Sequence, residues 1–150
     1  MASPIDIQLI LCDAAVSDPS GKVHMLGAGW SITGAPTAPH AVAVLLGIPW
    51  DRANIRIPLK LELCDDDGRP VEIEAADGNA AKLFHQGGIE VGRPAGLAPG
   101  TMLDAAFSLS IPPLPLKPGR YQWRFEISDQ IVTRSFTARP GQATPPIRQT

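Results

Sequence analysis

Asp65-Asp66-Asp67-Gly68 is the densest cluster of ligand-type atoms in the sequence. A hard cation such as Ca2+ wants several carboxylate and carbonyl oxygens at once, and Asp13, Asp18 or Asp77 would have to complete the set from other loops. The same four residues also spell a tight turn, in which Asp accepts backbone amides and Gly supplies φ > 0. That commoner use is the expectation, and no metal ligand is assigned. His24, His40 and His85 are widely spaced and Cys12 and Cys64 form no C-x-x-C pair, so zinc has no ligand set either. A Ser, His and Asp triad can assemble from distant positions, yet the sequence has no nucleophile elbow, no H-E-x-x-H and no phosphate-cradling glycine loop. We therefore expect no catalytic residue, no cofactor and no enzyme.

Aromatic and basic side chains offer binding chemistry instead. Trp30 and Trp50 fall beside a proposed bulge and in a connection, where an exposed indole serves as a carbohydrate platform or an interface anchor. The competing expectation is that both plug the ends of a buried core, as Trp usually does. Arg120, Gln122, Arg124 and Glu126 form an outward row able to pair with Lys60 and Glu62 across strands, and a row of alternating sign is more often a solvated ladder than a docking face. Trp30, Trp50, Arg120 and Arg124 are the candidate contact residues.

The elements that must position them are strands. In the run from Ile55 to Ala75, Ile55, Ile57, Leu59, Leu61 and Leu63 alternate with Arg56, Lys60 and Glu62, the period of a strand with one buried face. After the Asp-Gly turn, Val71, Ile73 and Ala75 against Glu72 and Glu74 predict the second arm of a hairpin. Ile5 to Cys12 predicts a first strand, closed by the turn Ser17-Asp18-Pro19-Ser20-Gly21. Lys22 to Thr33 changes parity, from Val23 and Met25 to Trp30 and Ile32, and a bulge at Gly27-Ala28-Gly29 would absorb the slip. His40 to Ile48 is apolar on both faces and reads as a central strand, with one helical turn after Pro49.

Residues 76–87 are irregular, with room for a short helix over Ala80 to Phe84, and Ile89 with Val91 marks a short strand. Leu103 to Ile111 alternates strictly until Pro112, Pro113 and Pro115 forbid further ladder bonding. From Gly119 to Ser128, Tyr121, Trp123, Phe125 and Ile127 share one face, and these aromatics should dominate the core. A last strand covers Ile131 to Ala138 with Arg134 out of pattern. Many short strands with turn signals and almost no helical period predict an all-β, antiparallel β-sandwich of about nine strands. The domain is expected over 1–139, with a flexible Pro-rich tail over 140–150.

The totals fit that reading. A chain of 150 residues, 44% hydrophobic and 19% charged, suits one domain with its own core. A net charge of -2 supplies no field for polyphosphate, so nucleic acid is not expected as a partner. Asp6 interrupts the only early apolar run and no stretch approaches membrane-spanning length, so neither export nor a membrane is expected and the cytoplasm is the expected location. There Cys12 and Cys64, both on outward parity, would stay thiols.

Leu116-Lys117-Pro118-Gly119-Arg120-Tyr121, entering a strand, resembles the tyrosine corner of immunoglobulin-like and fibronectin-type sandwiches, which implies an immunoglobulin-like fold and a structural role for Tyr121. Over most of its length the chain also resembles a family of short, uncharacterised bacterial proteins, chiefly actinobacterial, classed as a domain of unknown function. The pieces that carry this likeness are Leu11-Cys12-Asp13-Ala14-Ala15, Gly29-Trp30, Pro49-Trp50, Asp67-Gly68-Arg69-Pro70-Val71, Val91-Gly92-Arg93-Pro94 and Leu114 to Trp123. The resemblance implies a single domain and carries no chemistry. The function expected is a non-catalytic protein-binding or self-assembly module, its partner a protein and in the simplest case a second copy. A carbohydrate-binding sandwich is the alternative, and a metal-dependent hydrolase the least favoured.

Overall fold

The computed structural model describes residues 3–141 and 149, and within them the alternating runs lie as strands of two main sheets. β1 (Asp6–Cys12), β5 (His40–Ile48) and β10 (Leu103–Ile111) form a three-stranded antiparallel sheet in the order β1-β5-β10. β4 (Ile32–Gly34), β12 (Gln130–Arg139), β11 (Gly119–Ile127), β6 (Ile57–Asp65) and β9 (Phe84–Ile89) form a five-stranded sheet in that order, antiparallel except for the β4–β12 pair. Two short ribbons complete the set, β2 (Ala14–Ser17) with β3 (Val23–Leu26) and β7 (Glu72–Glu74) with β8 (Ala80–Lys82).

The inward faces of the two sheets meet in one cluster. Leu9 and Leu11 of β1 and Val42, Val44, Leu46 and Ile48 of β5 pack with Leu59, Leu61 and Leu63 of β6, Trp123, Phe125 and Ile127 of β11, and Phe136 of β12. Burying each such side chain stabilises the fold by about 1.5–3 kcal/mol before chain entropy is counted. Register ties the landmarks together: Trp123 lies opposite Leu63 and Phe125 opposite Leu61. Along one side the sheets are stitched by Gln130, whose side-chain amide accepts from the Ile5 N–H at 2.7 Å and donates to the Ile5 carbonyl at 2.9 Å.

Several expectations are corrected. The parity change between Val23 and Ile32 is no bulge but a change of sheet: β3 stays with β2, and β4 joins β12. Gly27 (φ 64°) and Gly29 (φ 97°) turn the chain between them, a left-handed conformation that favours glycine. The hairpin after Asp65 aborts early. Its turn forms, and Val71 N–H reaches the Leu63 carbonyl, but Pro70 has no N–H to donate and β7 leaves to pair with β8. β9 takes the vacated edge of β6, with Ile57 opposite Ile89 and Glu62 opposite Phe84. Residues 76–87 therefore hold a turn and strand residues, not a helix, and β9 ends before Val91. These ribbons and diversions bring the described residues to twelve strands where about nine were expected.

Ile55 lies outside β6 and is 54% exposed. Both cysteines, despite outward parity, are 0% exposed. Cys12 is covered because the β2–β3 ribbon folds over the outer face of the three-stranded sheet, packing Ala15, Val23 and Met25 on Cys12, Ala41 and Ala43. Cys64 stands between Gln122 of β11 and Pro70, its partner in an isolated β-bridge, with its thiol 3.9 Å from a Glu62 carboxylate oxygen. The tail expected over 140–150 lies outside the described residues apart from Pro140, Gly141 and Gln149.

Candidate functional site

β10 pairs with β5 along its whole length, from Leu103 opposite Ile48 to Ile111 opposite His40. Among the described residues no strand is hydrogen-bonded to its other side, although β2 and β3 of the short ribbon pack close against it. The consequence shows in the side chains. Val42, Val44, Leu46 and Ile48, the inward row of β5, are at most 4% exposed, whereas in the inward row of β10 only Leu103, at 3%, is as well covered, and Ala105, Phe107, Leu109 and Ile111 stay partly buried. β10 lies over β11 and β6: the Phe107 ring sits 6.2 Å from Phe125, and Leu109 and Ile111 share a cleft with Leu61. β9 extends one strand further out and offers little cover. Its inward positions, opposite Leu61, Leu59 and Ile57, are exposed His85, Gly87 without a side chain, and Ile89, the one of the three that packs on the core.

Two depressions follow this edge. Between β9 and β10 a cleft of about 170 Å³ is floored by Leu61 and Trp123 and walled by Leu83, Leu109 and Ile111, with His85 at its lip. Toward the start of β10 a wider groove of about 1010 Å³ runs between the tip of the β2–β3 ribbon and residues 89–94, with Leu45 and Ala106 beneath and Lys22, Glu90, Arg93 and Asp104 around it. β10 has one charged residue, Asp104, and no proline, so it lacks the usual devices that keep a free edge from pairing. β12 has one: Arg134 takes an inward position between Val132 and Phe136 yet remains exposed.

The residues singled out by sequence are not brought together. Trp30 packs edge-on against His40, ring centroids 5.4 Å apart, and against Phe136, and its indole nitrogen is buried without a partner. Trp50 opens the 3-10 turn Trp50–Arg52 and carries the Arg93 guanidinium 4.6 Å above its ring, while Arg93 also donates to the Trp50 carbonyl. Arg120 is exposed and 3.8 Å from Asp66. Arg124 pairs with Glu126 at 3.3 Å and Lys60 with Glu62 at 3.4 Å, so the ion pairs run along each strand although Arg124 and Glu62 stand opposite in register.

The acidic turn serves its own backbone. Asp65 accepts from the amides of Asp67 and Arg69, both at 2.9 Å, and Gly68 takes φ 83°. No group of three or more His, Cys, Asp or Glu positioned to hold a metal ion occurs among the described residues. Ser20, Asp18 and His24 do cluster, but in an order unsuited to nucleophilic catalysis. Ser20 Oγ donates to Asp18 Oδ1, and His24 Nε2 bonds Asp18 Oδ2 at 2.7 Å. A triad needs the imidazole on the hydroxyl; here the carboxylate stands between them. Those side-chain bonds from Ser20 and His24 hold the Asp18 carboxyl well below the usual range.

Sequence reasoning passed over His40 and the edge of β10. His40 is 3% exposed, with Nδ1–H donating to the Ala38 carbonyl at 3.1 Å and Nε2 accepting from Trp123 Nε1 at 3.3 Å. Burial pushes its pKa down, against a smaller opposing effect of the Ala38 carbonyl. Its place at the head of a strand apolar on both faces was the available signal. For β10 the signal was Gly87, which removes an inward side chain from the facing strand.

The cleft and the edge both lie within one matched region. The chain belongs to DUF6941, a family of unknown function. The DUF6941 model matches residues 8–136, which takes in most of both sheets and the whole of β10. No curated protein matches the chain. Among the described residues no helix is long and apolar enough to cross a membrane.

Proposed function

We propose that the chain is a non-catalytic protein-binding module that takes up an extended segment of another chain along the free edge of β10. The observation that carries this is the contrast in burial between the inward rows of β5 and β10, which face the same core. Added strands bind by main-chain hydrogen bonds and are selected by pockets for alternate side chains, and this edge has both an open ladder and a cleft. Self-assembly, with a second copy as partner, is the simplest form, and light scattering over a concentration series tests it. The fold is read as an immunoglobulin-like sandwich, supported by Tyr121 Oη donating to the Lys117 carbonyl at 2.7 Å, the geometry of a tyrosine corner. A cytoplasmic setting goes with the reading, and two buried cysteines that form no disulfide fit a reducing compartment. Nucleic acid is left out because the net charge of -2 offers no basic field.

The carbohydrate reading has less to stand on, since Trp30 is engaged with His40 and Phe136 and the face of Trp50 already carries Arg93. The test is site-specific photo-crosslinking in host extract, with the crosslinking residue placed at exposed Asp104 or Ser110 on β10, or at exposed Thr133 on β12 as control. Discrete products at both β10 positions and none at Thr133 are expected. Equal products at all positions, or none at any, would remove the reading.

A further inference from the structure

We infer that the segment accepted by β10 is alternately apolar and seats one leucine- or phenylalanine-sized side chain in the cleft between Leu83 and Leu109, an inference that rests on the strand-addition reading above. A strand laid beside β10 continues the three-stranded sheet, so its inward side chains fall next to Phe107, Leu109 and Ile111 and across from β9. Those positions recur every second residue. The cleft beneath them, about 170 Å³, has aliphatic walls and an aromatic floor, and a cavity of about 150 Å³ lined in this way holds a benzene ring. One Leu, Ile or Phe side chain fills it. From β9 the cleft is entered past exposed His85, whose Nε2 lies 3.8 Å from where a Gly87 Cβ would be, so a side chain at Gly87 would crowd this entry.

Chemistry sets the other face. Near Asp104 the segment passes Lys22, Glu90 and Arg93, charges of both signs, so polar uncharged residues suit its outward positions better than a run of either charge. Length is set by β10, whose nine residues end at Ile111 before Pro112.

The occupant is a single extended segment and not the β10 strand of a second copy. β9 reaches one strand beyond β10, so two copies joined edge to edge at β10 would drive their overhanging β9 strands into the same space. A lone strand meets no such obstacle and finds β6 and β9 opposite it.

The probe is a synthetic nine-residue peptide alternating threonine and leucine, with lysines outside both ends, compared with a peptide of the same composition whose leucines are grouped. Binding to the full chain is measured by fluorescence anisotropy, and its location by amide hydrogen exchange. The alternating peptide is expected to bind at least tenfold more tightly than the grouped one and to slow exchange along β10. Leu83→Trp, which fills the cleft, is expected to weaken binding at least tenfold at an unchanged melting temperature. If that variant does not fold, Leu83→Ala enlarges the cleft and should shift preference from leucine to phenylalanine or larger at one inward position. Slowed exchange along β10 with equal binding of both peptides, or with no effect at Leu83, overturns the cleft inference and leaves the edge reading standing. Binding that protects β9 or β12 but not β10 overturns both. No binding at millimolar peptide overturns the cleft inference, and crosslinking at Asp104 and Ser110 then decides the edge.

Discussion

Trp123 donates its indole N–H to His40 Nε2 across the interior at 3.3 Å, so one hydrogen bond joins β11 of the larger sheet to β5 of the smaller. The bond requires neutral imidazole, because a protonated ring has no lone pair to offer. Burial holds the His40 pKa below its ordinary 6.5. The unfolded chain therefore takes up the proton first as pH falls, and stability present above pH 6.5 is lost progressively below it. Melting temperature should fall between neutral pH and mildly acid pH in the native chain. In His40→Leu that part of the slope should vanish, at a cost of about 1–3 kcal/mol for the orphaned Trp123 donor. An unchanged slope in His40→Leu would mean that other groups carry it.

Tyr121 bonds the carbonyl of Lys117 from the start of β11. Tyr121→Phe keeps the ring stacked near Phe136, centroids 5.8 Å apart in the native chain, and removes only the hydroxyl. Urea denaturation should show a loss of about 0.5–1.5 kcal/mol. A loss near zero would leave the corner without structural weight.

Much of the fold could be read from period alone. β5, β6, β10 and β11 lie where alternation put them, and the aromatic row from Tyr121 to Ile127 faces the core, because parity on a strand leaves little freedom. Partner choice was not legible. Val71 to Ala75 alternates as well as any arm of a hairpin, and nothing local reveals that β9 will take the edge of β6 first. The parity slip near Gly27 looks the same in sequence whether the chain bulges or changes sheets. The edge of β10 was hidden for a related reason: its own residues read as an ordinary buried strand, and nothing local shows that no further strand will bond to its far side.

Gly27 and Gly21 separate two kinds of strain. Both take positive φ, but a methyl at Gly21 meets nothing, whereas one at Gly27 runs into the Asp13 carboxylate. Gly21→Ala should cost roughly 1–2 kcal/mol from backbone alone. Gly27→Ala should cost more, and adding Asp13→Ala should bring it back toward the Gly21 value. Equal costs in the two single variants would show that Asp13 swings aside freely.

Burial raises the pKa of both Cys12 and Cys64, with Asp13 adding to the effect at Cys12 and Glu62 at Cys64. Thiolate is the reactive form. A thiol reagent at neutral pH should therefore label neither in the native chain and both in denaturant. Fast native labelling of Cys12 alone would mean that the β2–β3 ribbon opens, since Ala15, Val23 and Met25 are its cover.

In an antiparallel strand alternate N–H groups point to opposite neighbours, so a strand paired on one side only should protect every second amide. β5, flanked by β1 and β10, should exchange slowly at nearly all its amides, while β10 alternates between slow and fast from Leu103 to Ile111. The same asymmetry should appear in core truncations. Leu61→Ala removes a side chain 1% exposed and should cost about 2–5 kcal/mol. Leu109→Ala, at the partly buried edge, should cost less than about 2 kcal/mol because water already reaches one side. Uniform protection along β10 at a concentration where the chain is monomeric, or equal cost at the two leucines, would mean that the chain covers this edge itself and that a partner strand has no place to add.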